Sequence, residues 1–199
     1  LHSQKETKEF TSTIDWGLRV ISLFGWPALA GLMVLAQPIV MILFMGGEFT
    51  QRDVTQVSFA LYAYLSGLVS FMFIKVLAPG YYARQDTKTP VRIGIIAMVS
   101  NMAFNIALAP FLSYVGLALA TTLSATLNAV LLYRGLKAQN VFVLSKVTKI
   151  FFCKLIFAAG CMAAVVFHLS PSFDIWLAMS FTEQLVKLVA FIAAGMLTY

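Results

Sequence analysis

A chain of 199 residues that is 60% hydrophobic and 11% charged carries more apolar surface than a water-soluble fold of that size can hide. With a mean hydropathy of +0.87, the bilayer must be the solvent for most of its side chains. The net charge of +6 and pI near 9.5 would suit nucleic acid, but the basic residues flank long apolar stretches, where they meet anionic headgroups instead.

Lipid offers no hydrogen bonds, so spans must be helices or a closed barrel, and apolar runs without period-2 alternation select helices. The expected fold is an all-α bundle of six transmembrane spans. Leu1 to Asp15 is a polar approach without the apolar core of a cleavable signal, and Trp16 is placed to anchor at the headgroups. The first span runs from about Leu18 to Phe44 and holds Pro27 and Pro38, each of which removes a backbone hydrogen bond. Gly46 to Thr50 reads as a turn, with Asp53 capping the second span, about Val57 to Ala78. Pro79-Gly80 is expected to end that helix, leaving Tyr81 to Thr89 as a polar loop before Pro90 opens the third span.

The third span, Val91 to Leu108, stops at Pro110, and the short link Phe111 to Tyr114 makes it an antiparallel hairpin with the fourth, Gly116 to Tyr133. Gly116, Ala118, Ala120, Thr121, Thr122, Ser124 and Ala125 give the fourth helix a small-residue face suited to close packing inside the bundle. A basic linker, Arg134 to Lys149, reads as a short amphipathic surface helix. The fifth span, about Ile150 to Phe167, an outer loop with Pro171, an interfacial Trp176 and a sixth span from near Thr182 complete the chain. The resulting division is 1–134 as a four-helix part, 135–149 as linker and 150–199 as a final pair. Leu185 to Tyr199 would reach only about 22 Å as a helix, and the first residue is Leu1, so both ends read as cut.

Eleven of the fourteen Lys/Arg residues fall in alternate gaps: Lys5, Lys8 and Arg19; Arg84, Lys88 and Arg92; Arg134, Lys137, Lys146, Lys149 and Lys154. Those gaps are therefore cytoplasmic, and the gap holding Arg52 lies outside. Cys153 and Cys161, eight apart on one helix, are separated by about 12 Å along its axis and cannot pair with each other; they read as small core residues.

Two lysines lie inside spans, Lys75 and Lys187, and charge at that depth marks a candidate substrate path unless it snorkels to the surface. Asn101 and Asn105 share one helix face, level with Thr121 on the hairpin partner. Such oxygens either bind a hard cation such as sodium or form interhelical hydrogen bonds, and the second is the commoner use. Catalysis finds little support, because His2 and His168 are far apart in sequence and no intramembrane Asp/Glu pair, glycine-rich phosphate loop or zinc spacing exists.

The run Lys75-Val76-Leu77-Ala78-Pro79-Gly80-Tyr81-Tyr82-Ala83-Arg84-Gln85-Asp86-Thr87-Lys88-Thr89-Pro90-Val91 closely resembles the signature loop of the MurJ/MviN family of bacterial lipid II flippases. Asp15-Trp16-Gly17-Leu18-Arg19, Pro38 with Leu43-Phe44, Gly46 before Phe49-Thr50, Gly116 to Thr121, and Asn128 with Leu131-Leu132-Tyr133 resemble further family positions in order. The resemblance implies helices nine to fourteen of a fourteen-helix transporter that moves undecaprenyl-linked peptidoglycan precursor across the bacterial cytoplasmic membrane by alternating access, usually as a monomer. It makes Tyr82, Arg84, Gln85, Asp86, Thr89 and Pro90 signature positions, and Lys75, Arg84 and Lys187 candidates for the substrate path.

It also implies that the last two spans form a groove for the lipid tail, and that Asn101, Asn105 and Thr121 match a sodium site found in some members. Asn105 stands where those members have Asp, which removes the anionic ligand. Because the family's essential cavity arginines lie mainly in helices that this sequence lacks, transport by this stretch alone is not expected. The alternative functions are a related exporter of other lipid-linked oligosaccharides or drugs, and a cell-wall scaffold that does not transport.

Overall fold

The computed structural model describes the backbone of residues 2–199 and the side chains from Glu9 onward, so the side chains of His2, Lys5 and Lys8 lie outside the described residues. The helical stretches in chain order are α1 (His2–Phe44), α2 (Gln51–Leu65), α3 (Leu68–Tyr82), α4 (Lys88–Ala138), α5 (Lys146–Leu169), α6 (Phe173–Ala178) and α7 (Phe181–Thr198). Among the described residues five helical stretches, with α2 and α3 counted as one, are long and apolar enough to cross a bilayer.

One of these, α4, is really two helices. A straight helix would set Asn101 and Thr121 about 30 Å apart. Instead the Asn101 amide donates to Thr121 Oγ1 at 3.5 Å and to Ser124 Oγ at 3.3 Å, because the chain folds back at Ser113 (φ 49°, ψ −129°). Six crossings result, as the hydropathy pattern implies, and the protein is a multi-pass α-helical membrane protein.

Ser113 occupies a left-handed conformation that L side chains rarely adopt. Ser113→Gly should therefore stabilise the reversal by roughly 1 kcal/mol, measured as a higher unfolding midpoint in detergent.

The polar approach is helical from His2 onward, and its face Phe10, Ile14, Leu18 packs into a cluster with Leu77, Tyr81, Leu132, Leu136 and Phe142 at the basic end of the bundle. Trp16 is 66% exposed, consistent with an interfacial ring. Thr50 caps α2 jointly with Asp53, whose Oδ2 accepts the Thr50 amide at 2.8 Å and hydroxyl at 2.6 Å.

Several expectations are corrected. The second span is not continuous: it breaks at Ser66-Gly67 between α2 and α3. Midway through a bilayer the carbonyls freed by a break need partners, and Ala63 O accepts from both the Ser66 and Thr122 hydroxyls at 2.7 Å. A Cβ on Gly67 would lie 2.8 Å from Thr122 Cγ2, so only glycine lets the fourth crossing come this close.

Pro79-Gly80 does not stop the helix. α3 runs on to Tyr82, since a proline forfeits a single hydrogen bond while Leu77, Gly80 and Tyr81 are held in the core. The linker is not a surface helix either. The fourth crossing extends to Ala138, and the loop after it tucks Val141 and Phe142 into the core, their amides donating to Leu136 O at 3.0 and 3.3 Å.

Trp176 is no interface anchor: it is 1% exposed, packed with Val40, Met41 and Val54 in the segment between α5 and α7. Cys153 and Cys161 are free, as expected, but exposed on the outside of α5 rather than in the core.

The small-residue face of the fourth crossing is buried as expected, at Gly116, Ala118, Ala120, Thr122, Ser124 and Ala125. The first four crossings pack as one bundle, and α5 and α7 lean on α1 and on each other.

Candidate functional site

An apolar groove of about 690 Å³ lies between α1, α5 and α7. One wall is α1, with Leu23, Phe24, Ala28, Gly31 and Leu35; the other is Met162 and Val166 of α5 with Phe191, Ile192 and Met196 of α7. Small residues set its width, because a Cβ on Gly31 would lie 3.3 Å, and one on Gly195 2.7 Å, from Met162 Cε. The family resemblance implied a groove in the last pair, but more than half of the lining of this one comes from α1. No local pattern could have shown that, since α1 and α5 meet across some 130 residues of sequence.

The signature loop is a hydrogen-bonded turn at the basic end. Tyr81 is fully buried and donates to Leu132 O at 2.7 Å, anchoring the end of α3 on the fourth crossing. Gln85 takes a left-handed φ of 61°, and Arg84 Nη1 donates to Gln139 Oε1 at 2.6 Å. Asp86 Oδ1 accepts the Thr89 amide at 3.0 Å, capping the first turn of α4, where Pro90 is buried. Tyr82, Arg84 and Gln85 are exposed.

The hydrogen bonds from Thr89, together with those from Gln139 and the Lys88 backbone, hold the Asp86 carboxyl below its ordinary value of 3.8. A depressed carboxylate stabilises above its unfolded pKa and loses that contribution as pH falls through the folded value. Protection of the Thr89 amide against hydrogen exchange should therefore be constant across neutral pH and fall only below about pH 4, and Asp86→Ala should remove it at every pH.

Lys75 is exposed on α3, Arg84 sits in the loop beyond it, and Lys187 is exposed on α7, six residues from its start at the opposite end of the bundle. The fold does not gather these three into one site. Asn101, Asn105 and Thr121 are gathered, with Ser124 as a fourth member that the spacing did not single out. Asn105 Nδ2 donates to Asn101 Oδ1 at 3.0 Å, Asn101 Nδ2 faces both hydroxyls, and these in turn donate to Leu117 O and Thr121 O. Asn105 Oδ1 is buried without a partner.

A second polar cluster went unremarked in the sequence. Asp15 on α1 meets Arg19 one turn on, and Ser145 and Thr148 at the start of α5. The i,i+4 acid–base pair and the Ser-x-x-Thr cap were each visible, but not that they touch. Among the described residues no group of three or more His, Cys, Asp or Glu side chains is placed to hold a metal.

The family model described as "MurJ: Lipid II flippase MurJ" matches residues 1–187. "Probable lipid II flippase MurJ" of Vibrio cholerae is 50% identical over 198 residues, 100% of this chain and 38% of that protein. The Haemophilus influenzae protein of the same description is 51% identical over 197 residues, 99% of this chain and 38% of its own length. "Lipid II flippase MurJ" of Burkholderia cenocepacia is 35% identical over 198 residues.

Among solved structures, "Lipid II flippase MurJ, inward closed conformation" superposes with a TM-score of 0.76 at 24% identity, covering 95% of this chain and 39% of that one, a likeness of fold. This chain thus spans about two fifths of the relatives it matches. With nearly its whole length matched by the family model, the chain belongs to the lipid II flippase MurJ family.

Proposed function

We propose that this chain forms part of a flippase that carries undecaprenyl-linked peptidoglycan precursor across the bacterial cytoplasmic membrane by alternating access, as a monomer and with no bond made or broken. The observation that carries this reading is the groove of about 690 Å³ on a chain of this family, walled by aliphatic and aromatic side chains and open along the bundle's flank.

The groove's task follows from where a lipid tail already resides. A polyprenyl chain in the bilayer gains no hydrophobic free energy on entering a protein groove, because lipid is as apolar as leucine. What the groove supplies is alignment: it lets the tail stay in hydrocarbon beside α1 while the charged headgroup crosses elsewhere. Lys75, Arg84 and the neighbouring Lys88 and Arg92 place positive potential at the cytoplasmic end, which favours arrival of a pyrophosphate. Lys187 lies near the opposite headgroup layer, to which its stem can reach.

The Asn101–Asn105–Thr121–Ser124 cluster works as an interhelical knot. It suits sodium poorly, since it lacks a carboxylate and Asn101 turns its NH2 toward the hydroxyls. Transport is accordingly expected to be unchanged when sodium is exchanged for potassium. Asn105→Asp should introduce a sodium dependence, visible as a shift in the sodium concentration for half-maximal transport.

The decisive experiment is a chimera in which this chain replaces the matching 198 residues of the Vibrio cholerae relative. In cells depleted of their own flippase, the chimera should restore precursor accessibility on the outer surface and this chain alone should not. Failure of the chimera where the unmodified relative succeeds would overturn the reading in favour of a related exporter or a scaffold.

A further inference from the structure

The groove is bounded very differently at its two ends. Toward the outer end α1 and α5 meet through Leu35 against Met162 and Val166, and although Gln37 and His168 line a pocket there, no side-chain hydrogen bond joins the two helices at that end among the described residues. At the cytoplasmic end they are joined by a buried polar cluster. Asp15 is 8% exposed, and its Oδ2 accepts from Arg19 Nη2 at 2.6 Å and from Thr148 Oγ1 at 2.6 Å, with Ser145 Oγ at 3.3 Å. Arg19 Nε also donates to Thr148 Oγ1 at 2.7 Å. Thr148 is fully buried.

These partners are the first residues of α5. Ser145 is its N-cap, accepting the Thr148 amide at 3.0 Å. The Asp15 carboxylate of α1 is thus seated over the helix end that carries positive partial charge, and hydrogen bonds to an ionised acceptor are about twice as strong as neutral ones. Apolar contacts between helices in lipid have no comparable directional hold. One end of the α1–α5 junction is therefore held by directional hydrogen bonds and the other by apolar packing.

We propose that Asp15, with Arg19, Ser145 and Thr148, is a clamp that fixes the cytoplasmic end of the groove, so that α5 and α7 swing on it and the groove changes width toward the outer leaflet. Asp15 is a positioning residue in this scheme and touches no substrate. The clamp deepens the lipid-tail reading but is measurable without any lipid-linked molecule.

The test uses the chimera in lipid nanodiscs, with Cys153 and Cys161 replaced by serine and spin labels at two exposed pairs, Ser12 with Val147 at the clamped end and Leu43 with Phe167 at the other. The clamped pair should give a narrow distance distribution and the outer pair a broader one. Thr148→Val keeps the side chain's shape and leaves the Asp15–Arg19 pair intact. It should broaden the clamped-pair distribution toward longer distances, and Thr148→Ser should keep it narrow.

If Thr148→Val disturbs folding, both pairs will change together, and Asp15→Asn and Ser145→Ala then decide the matter by the same readout. A clamped-pair distribution that stays narrow in these variants, or that matches the outer pair in the unsubstituted protein, overturns the clamp. Transport of long-tail and short-tail precursors by the same proteins separates the two ideas: broadening with no influence of tail length on transport supports the clamp and rejects the lipid-tail groove.

Discussion

Ala28→Trp is expected to lower transport of a long-tail precursor by about tenfold or more in the chimera, equivalent to roughly 1.4 kcal/mol on the limiting barrier, with little change in stability. Ala28 lines the groove and is exposed to it, so an indole there projects into a space of about 690 Å³ rather than into packed core. Gly31 would be a poorer choice, because its first added carbon already meets Met162 Cε at 3.3 Å and a larger group would push α1 from α5. Val130→Trp, on an exposed face of α4 outside the groove, is the control and should transport normally. Reconstituted vesicles supplied with long-tail and short-tail precursors give the comparison. Equal rates for Ala28→Trp and Val130→Trp would remove the groove from the mechanism.

Gly116→Val is expected to have the largest structural effect. A Cβ at Gly116 would sit 2.5 Å from Leu108 O, 2.7 Å from Leu108 C and 3.0 Å from Ala109 N, and backbone atoms cannot rotate aside as a side chain would. Overpacking at such a site costs about 1–3 kcal/mol or more, and relief requires the hairpin to open. The opening would be felt at the Asn101–Thr121–Ser124 knot, which spans the same two crossings. Thermal unfolding in detergent should show a lowered midpoint, and hydrogen exchange should rise first around the Ser113 reversal. A midpoint unchanged from the unsubstituted chain would mean that the reversal is looser than its geometry.

Some features were legible in the sequence and others were not, and particular residues show why. The signature loop was read as a cytoplasmic turn, and its capping aspartate could be suspected, because Asp86 and Thr89 are three residues apart. The break at Ser66-Gly67 left only a weak signal, a Ser-Gly pair inside an apolar run, and what stabilises it is the Thr122 hydroxyl, 59 residues away from Ala63. Pro79-Gly80 misled in the other direction, since the local helix-breaking tendency was outweighed by the burial of Leu77 and Tyr81 against the fourth crossing. Trp176 was assigned to the interface by the aromatic preference for headgroups, and Val141-Phe142 to the surface by the basic linker around them, yet each packs into a cluster formed by distant helices.

By itself the sequence determined the membrane class, the six crossings and, from the alternation of basic gaps, the expectation of which ends face the cytoplasm. Hydropathy and charge are properties of short stretches, and the bilayer acts on each stretch independently, so these results need no knowledge of neighbours. Only the tertiary structure decided which faces meet: that α1 walls the groove, that Asn101 finds Ser124, and that Asp15 reaches Thr148 across 133 residues. Those contacts depend on packing between helices, where small residues and directional hydrogen bonds choose among many equally apolar partners, and no term local to the chain carries that choice.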